Sequence, residues 1–171
     1  LDLQDEFYVF APVEAVARYT SPCQNVNSYG LFAVMTTERP EIIVEGSNDG
    51  QQWLAYEFRY KPGDVNRAPR WVAPHQPRLD WQMWFAALSD WHGNPWIVNL
   101  MVRLLQASPD VLRLLEHDPF GGKPPKYVRA LVDHYHFTNF AERRATGNWW
   151  KREPAGLYFP QFSMQDVQLP Q

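Results

Sequence analysis

Between residues 53 and 88 the apolar repeat of this chain changes from 2 to 3.6, and Pro69, Pro74 and Pro77 stand in the gap. Ahead of the gap, in WLAYEFRY, Leu54, Tyr56, Phe58 and Tyr60 fall on one face and Trp53, Ala55, Glu57 and Arg59 on the other. That alternation is the signature of a strand between two different environments. Behind the gap Trp81, Trp84, Phe85 and Leu88 are spaced as one face of a helix, with Asp80 placed where a carboxylate caps open amides. Each proline removes an amide donor and biases the preceding residue toward extended backbone, so residues 61–78 read as an ordered loop. The chain must therefore build sheet and helix side by side.

Further strands are expected at LFAVM (31–35) and EIIVEGS (41–47), the latter joined to residues 53–60 through the turn chemistry of Asn48-Asp49-Gly50. Helical text resumes with Asn94 as N-cap, Pro95 at the first helical position and a stripe of Ile97, Leu100, Met101, Leu104 and Leu105. Ser108, Pro109 and Asp110 open a third, short helix. YVRALVDHYHFT reads as a strand on its β-branched and aromatic content, ERRATGNWWKREPAG as a loop, and LYFPQFSM as a late strand that Pro160 marks as an edge or a bend. The expected architecture is one α+β domain over residues 1–171. It is an antiparallel β-sandwich of jelly-roll or galactose-binding-like type, with a helical insertion at 79–117. The turn Ser47-Asn48-Asp49-Gly50 followed by Trp53 is similar to one in galactose-binding-like sandwiches, which makes a carbohydrate- or small-ligand-binding module the alternative reading.

Length and charge bound the rest. A body of 171 residues buries roughly 70% of its unfolded surface, enough for a core of its own. A net charge of -3 offers no counterion-release footprint, so nucleic acid is not an expected partner. Cys23 stands alone, which excludes an internal disulfide and a cysteine-based zinc site. No apolar run reaches the 18 or so residues that span a bilayer, and the first residues lack the basic start of a signal peptide.

Three groups of residues could carry chemistry. His75 as base, Asp80 as its orienter and Arg70 with Arg78 as an anion clamp would suit catalysis, but no serine or cysteine nucleophile stands beside them, and mutual pairing of these groups is the leading reading. His134 and His136 share a strand face yet leave a metal two ligands short, so neither metal nor cofactor is expected. Arg143, Arg144, Lys151 and Arg152 surround Trp149 and Trp150, a composition that suits cationic stems over core rings first, a protein interface second and a ligand third.

A longer likeness lies in NSYGLFAVMTTERPEIIVEGSNDGQQW, YEFRYKPGDVNRAPRWVAPHQPRLDWQMWFAAL, NPW, LLEHDPF, PPKYVRALVDHYHFT and NWWKRE. Together these stretches, over about residues 25–160, resemble the C-terminal soluble domain of the lipase maturation factor family. The resemblance implies a chaperone-like, non-enzymatic factor for folding or assembly of secreted clients, lipases among them. It also implies membrane attachment through segments absent from this chain, and a position on the lumenal side of the endoplasmic reticulum, or the extracytoplasmic side in a bacterium. It transfers no catalytic residue. In that light PRWVAPHQPRLDWQMW is a strap in which Asp80, Trp81 and Trp84 fix the first helix to the sheet. Arg70, Trp71, His75 and Arg78, together with Trp149, Trp150, Lys151 and Arg152, are then the expected client-binding residues.

Overall fold

The computed structural model divides into two compact units, residues 1–36 and 37–171. It describes residues 38–75 and 77–168, all within the second unit, so the strand expected at 31–35 and Cys23 lie outside the described residues. The class is α+β: a four-stranded antiparallel sheet and a two-stranded ribbon, with helices against one sheet face. The strands are β1 (Pro40–Ser47), β2 (Leu54–Ala55), β3 (Glu57–Phe58), β4 (Leu115–His117), β5 (Tyr127–Phe137) and β6 (Trp150–Ser163). The helices are α1 (Arg78–Ala86), α2 (Trp96–Leu105), α3 (Pro109–Leu112) and α4 (Phe140–Thr146), and a 3₁₀ turn spans Asp166–Gln168. The sheet order is β2-β1-β5-β6, and β3 pairs with β4.

The hairpin expected at Asn48-Asp49-Gly50 forms, with Glu45 opposite Ala55 and Gly46 opposite Leu54. The Asp49 carboxylate accepts from the Gln51 and Gln52 amides at 2.8 Å each, and Gly50 takes a φ of 74°. WLAYEFRY is not one strand. It breaks at Tyr56, so that Leu54–Ala55 extends the large sheet and Glu57–Phe58 pairs with β4. The alternation was legible, but it could not show that the two ends of the run serve different sheets.

Alternation on β1 and β5 sorts the residues onto two faces. Ile42, Val44, Val128 and Ala130 are fully buried on the inner face, where they meet the α2 stripe of Ile97, Leu100, Met101, Leu104 and Leu105. Burial of each of these side chains except the Ala130 methyl group contributes roughly 2 kcal/mol. α2 ends in a Schellman arrangement: the Ser108 amide donates to the Arg103 carbonyl and the Ala107 amide to Leu104, both at 2.9 Å, with Ala107 at a φ of 47°. Asn94 precedes this helix without capping it. Its amide binds Ser89 Oγ and the Asp90 carbonyl, and Pro95 takes the cap position.

Three further expectations are corrected. The helical stretch ends at Leu112, and residues 115–117 form β4, because the ribbon with β3 claims them. ERRATGNWWKREPAG is not a loop: Asn139 and Glu142 form a reciprocal capping box for α4, Gly147 ends it at a φ of 77°, and β6 begins at Trp150. Finally, the buried face of α1 is Asp80, Met83 and Ala86, while Trp81, Phe85 and Leu88 are exposed and Trp84 is half-buried.

β6 has 14 residues against 11 in β5, and three register shifts along the pair absorb the difference as bulges. Gly156, at a φ of 149°, stands at one of them, where its register shifts from Val132 to Asp133.

Candidate functional site

The outer face of the large sheet is polar and half-covered. Glu41 and Asp133 lie opposite one another across β1 and β5 and are both buried. Arg39 Nε donates to Glu41 at 2.8 Å, Lys61 Nζ lies 3.5 Å from the other Glu41 oxygen, and Arg152 Nε is 3.2 Å from Asp133. Burial pushes the Asp133 carboxyl above its ordinary value, against the pull of Arg152. Beside these charges Ile43, Tyr135 and Trp150 form a small second core.

Residues 61–67 close over this core and are held by their backbone. The Tyr135 hydroxyl donates to the Gly63 carbonyl at 2.7 Å, Trp150 Nε1 to Arg67 at 2.9 Å, and the Trp149 and Trp150 amides both reach the Val65 carbonyl. Burial drives the Tyr135 hydroxyl up to about 12. A recess of about 260 Å³ remains beside the segment, with Ile43, Phe58, Lys61, Tyr135 and Arg152 in its wall.

The first helix is fastened by an unexpected use of Asp80. Its carboxylate does not cap α1. It accepts from the Tyr60 amide at 2.8 Å and the Lys61 amide at 3.0 Å, so a buried acid ties α1 to the end of β3. Trp81, Trp84 and Phe85 pack edge-on or tilted among themselves, with centroids 5.0 to 5.4 Å apart.

The strap between β3 and α1 presents its aromatic residue outward. Trp71 is 86% exposed. Beside it, Arg70 makes a two-pronged ion pair with Glu116 of β4, at 3.0 and 2.7 Å. Arg59 lies along the same ribbon, donating to the Leu115 and Arg113 carbonyls, and Arg67 pairs with Glu57 at 3.3 Å. The fields of Arg70, Arg67 and Arg59 all help to hold the Glu116 carboxyl below its usual range, with the Arg70 hydrogen bonds the largest cause. The exposed His75 ring rests against Tyr60 at 6.4 Å, and Arg78 is exposed with no ion pair among the described residues. His75 and Asp80 are thus not joined as a hydrogen-bonded pair.

At NWWKR the residues largely spend themselves on one another. Arg143 stacks over the Trp149 ring, Trp150 is buried, Lys151 pairs with Glu142, and Arg152 pairs with Asp133. The structure therefore splits the expected binding residues into the strap group of Arg70, Trp71, His75 and Arg78 and this second group at the start of β6. The strap's supports, Arg59, Arg67 and Glu116, were missed because no periodicity relates them: Arg70 and Glu116 are 46 positions apart.

These features define an α+β domain that presents an aromatic residue amid arginines. Residues 25–160 match the family model described as lipase maturation factor C-terminal domain, and the chain belongs to that family. It is 50% identical over 153 residues to lipase maturation factor 2 of Gallus gallus, covering 85% of this chain and 21% of that protein. The human lipase maturation factor 2 is 47% identical over 152 residues, with 85% of this chain and 21% of that one covered. Human lipase maturation factor 1 is 41% identical over 150 residues, covering 83% and 26%. The chain thus spans about a fifth to a quarter of the length of these relatives. No solved structure matches it. No helix among the described residues is long and apolar enough to cross a membrane.

Proposed function

We propose that this domain serves the maturation of secreted clients, lipases among them, by holding incompletely folded chains on the strap surface, without catalysing a reaction. The observation that carries this reading is Trp71, 86% exposed yet anchored through its neighbour Arg70 to β4. The Arg70–Glu116 pair fixes the chain next to a large outward ring, and Trp with Arg is the typical composition of an energetic anchor. The names of the relatives support lipases as clients. Placement in the lumen of the endoplasmic reticulum, or outside the bacterial cytoplasm, goes with secreted clients.

The alternative, a small-ligand or carbohydrate module, draws on the recess beside residues 61–67. Its cations are already answered, Lys61 by Glu41 and the Pro62 carbonyl and Arg152 by Asp133, which favours the strap. The test is secretion of active lipase by cells lacking the endogenous factor and supplied with the full-length protein, wild type or Trp71→Ala. A drop of about tenfold with unchanged factor abundance is expected. Equal secretion would refute the assignment to Trp71.

A further inference from the structure

Residues 61–67 cover the second core as a segment that is firmly hung but incompletely packed. Its ties run to main-chain carbonyls: Gly63 accepts from the Tyr135 hydroxyl, Val65 from the Trp149 and Trp150 amides, and Arg67 from the Trp150 indole. The groups beneath it are less well satisfied. One Glu41 oxygen is fully buried with no hydrogen-bond partner among the described residues, and the Lys61 ammonium of the covering segment stands 3.5 Å from it. Asp133 is buried as well, with Arg152 Nε at 3.2 Å. The recess of about 260 Å³ leaves space along the inner side of the segment, between Lys61, Phe58 and Arg152. A buried carboxylate oxygen without a donor and an unfilled space each cost free energy that entering water would relieve. The surrounding charges are matched elsewhere. Around Asp133 stand Arg152, Glu45, Lys61 and, beside it on β5, His134, which lies 3.9 Å from Glu38. Glu45 is paired with Arg129, and Arg39 takes the other Glu41 oxygen. At the rim of the recess Glu57 pairs with Arg67, and Asp64 accepts from the Asn66 amide.

We infer that residues 61–67 are a lid that lifts as pH rises from acid to neutral and uncovers the aromatic core of Ile43, Tyr135 and Trp150. Under the closed lid, a proton on a buried carboxyl removes its charge and turns an acceptor into a donor, so acid relieves the unmatched group in place. With both carboxyls ionised the relief comes from hydration, and hydration requires the lid to lift. The sign follows from proton linkage: a carboxyl held higher in the closed form than in the open one makes the closed form bind more protons, so opening gains as pH rises. Burial raises Asp133 in this sense. Trp71 lies outside the lid, so the device stands or falls apart from the assignment of that ring.

The test is amide hydrogen exchange of the full chain, read residue by residue by NMR at about pH 4 and about pH 7 and corrected for the intrinsic chemical rate at each. The Trp149 and Trp150 amides report on the lid, because both end on the Val65 carbonyl. Thr138, whose amide donates to the Trp149 carbonyl, reports fraying of the β5–β6 end, and Leu104 and Leu105 of α2 report global unfolding. Protection at Trp149 and Trp150 is expected to fall about tenfold at the higher pH relative to Thr138, Leu104 and Leu105. Asp133→Asn, which keeps the shape without the charge, should hold that protection at its acid level at both pH values. Protection that is unchanged by pH, that rises with it, or that moves in step with Thr138 or with α2 overturns the inference. So does a fall that persists undiminished in folded Asp133→Asn. If that variant does not fold by circular dichroism, the two wild-type measurements decide alone.

Discussion

Glu41 and Asp133 face each other across β1 and β5, two buried carboxylates held in register by the main chain. Like charges directly opposite on one sheet face repel, so the pair persists only through Arg39, Lys61 and Arg152. Lys61→Met removes the ammonium beside Glu41 and should destabilise the domain by about 3 kcal/mol. Adding Glu41→Leu should recover most of that loss, because the pair is then replaced by apolar groups. Urea denaturation of both variants decides it: a single substitution without cost would mean that Arg39 alone satisfies Glu41.

Asp80→Ala should cost about 2 to 3 kcal/mol, since it strands the amides of Tyr60 and Lys61 in a buried place. Asp80→Asn keeps an acceptor and should cost clearly less. Thermal unfolding of the two separates loss of this tie from a general effect on α1. Equal costs would point to charge rather than to the amides.

Ala107 holds a φ of 47° at the position where helices favour glycine. Ala107→Gly relieves that conformation and should stabilise the domain by about 0.5 to 1 kcal/mol, less the entropy that glycine adds to the unfolded chain. A fall in Tm would show that the methyl group packs more favourably than its backbone strain costs.

The Glu142 carboxyl is held below its ordinary 4.5 first by Lys151 and then by the Asn139 amide. A lowered folded value means that the unfolded chain binds more protons in that range. Its contribution is therefore complete above about 4.5 and lost as pH falls through the folded value. Glu142→Gln should remove this part of the acid transition and with it the same small contribution near pH 7, while Gln still serves the capping box. Asp133 runs the other way: its raised value means that stability declines as pH rises from its ordinary 3.8 through the folded value. Circular dichroism of α4 and the sheet across pH 3 to 7 distinguishes the two signs.

The sequence disclosed elements whose burial follows period alone. The α2 stripe is of this kind, and each of its residues is buried, whereas β5 was legible from its β-branched and aromatic content rather than from its period. The inner face of α1 was hidden because its anchor is a carboxylate, and no hydrophobic pattern registers an acid that goes inside to collect two amides. α4 could have been found: Asn139, Glu142 and Gly147 spell a start and a stop, although the apolar content between them is thin. The strand at Lys151–Gly156 could not, since its Lys, Arg, Glu, Pro and Gly have little strand preference and are placed there by pairing with β5 along one side. At the candidate site the outward Trp71 and its neighbour Arg70 were legible as types, whereas Glu116, 46 positions away, was visible only once the β3–β4 ribbon brought it back.

The three bulges of β6 fall on the strand that borders the large sheet among the described residues. A flat border would invite any extended segment to continue the sheet. A kinked border interrupted by Pro154 and Pro160 offers no such continuous template. The awkward geometry of the last strand thus keeps an open row of backbone groups from becoming a seed for further strands.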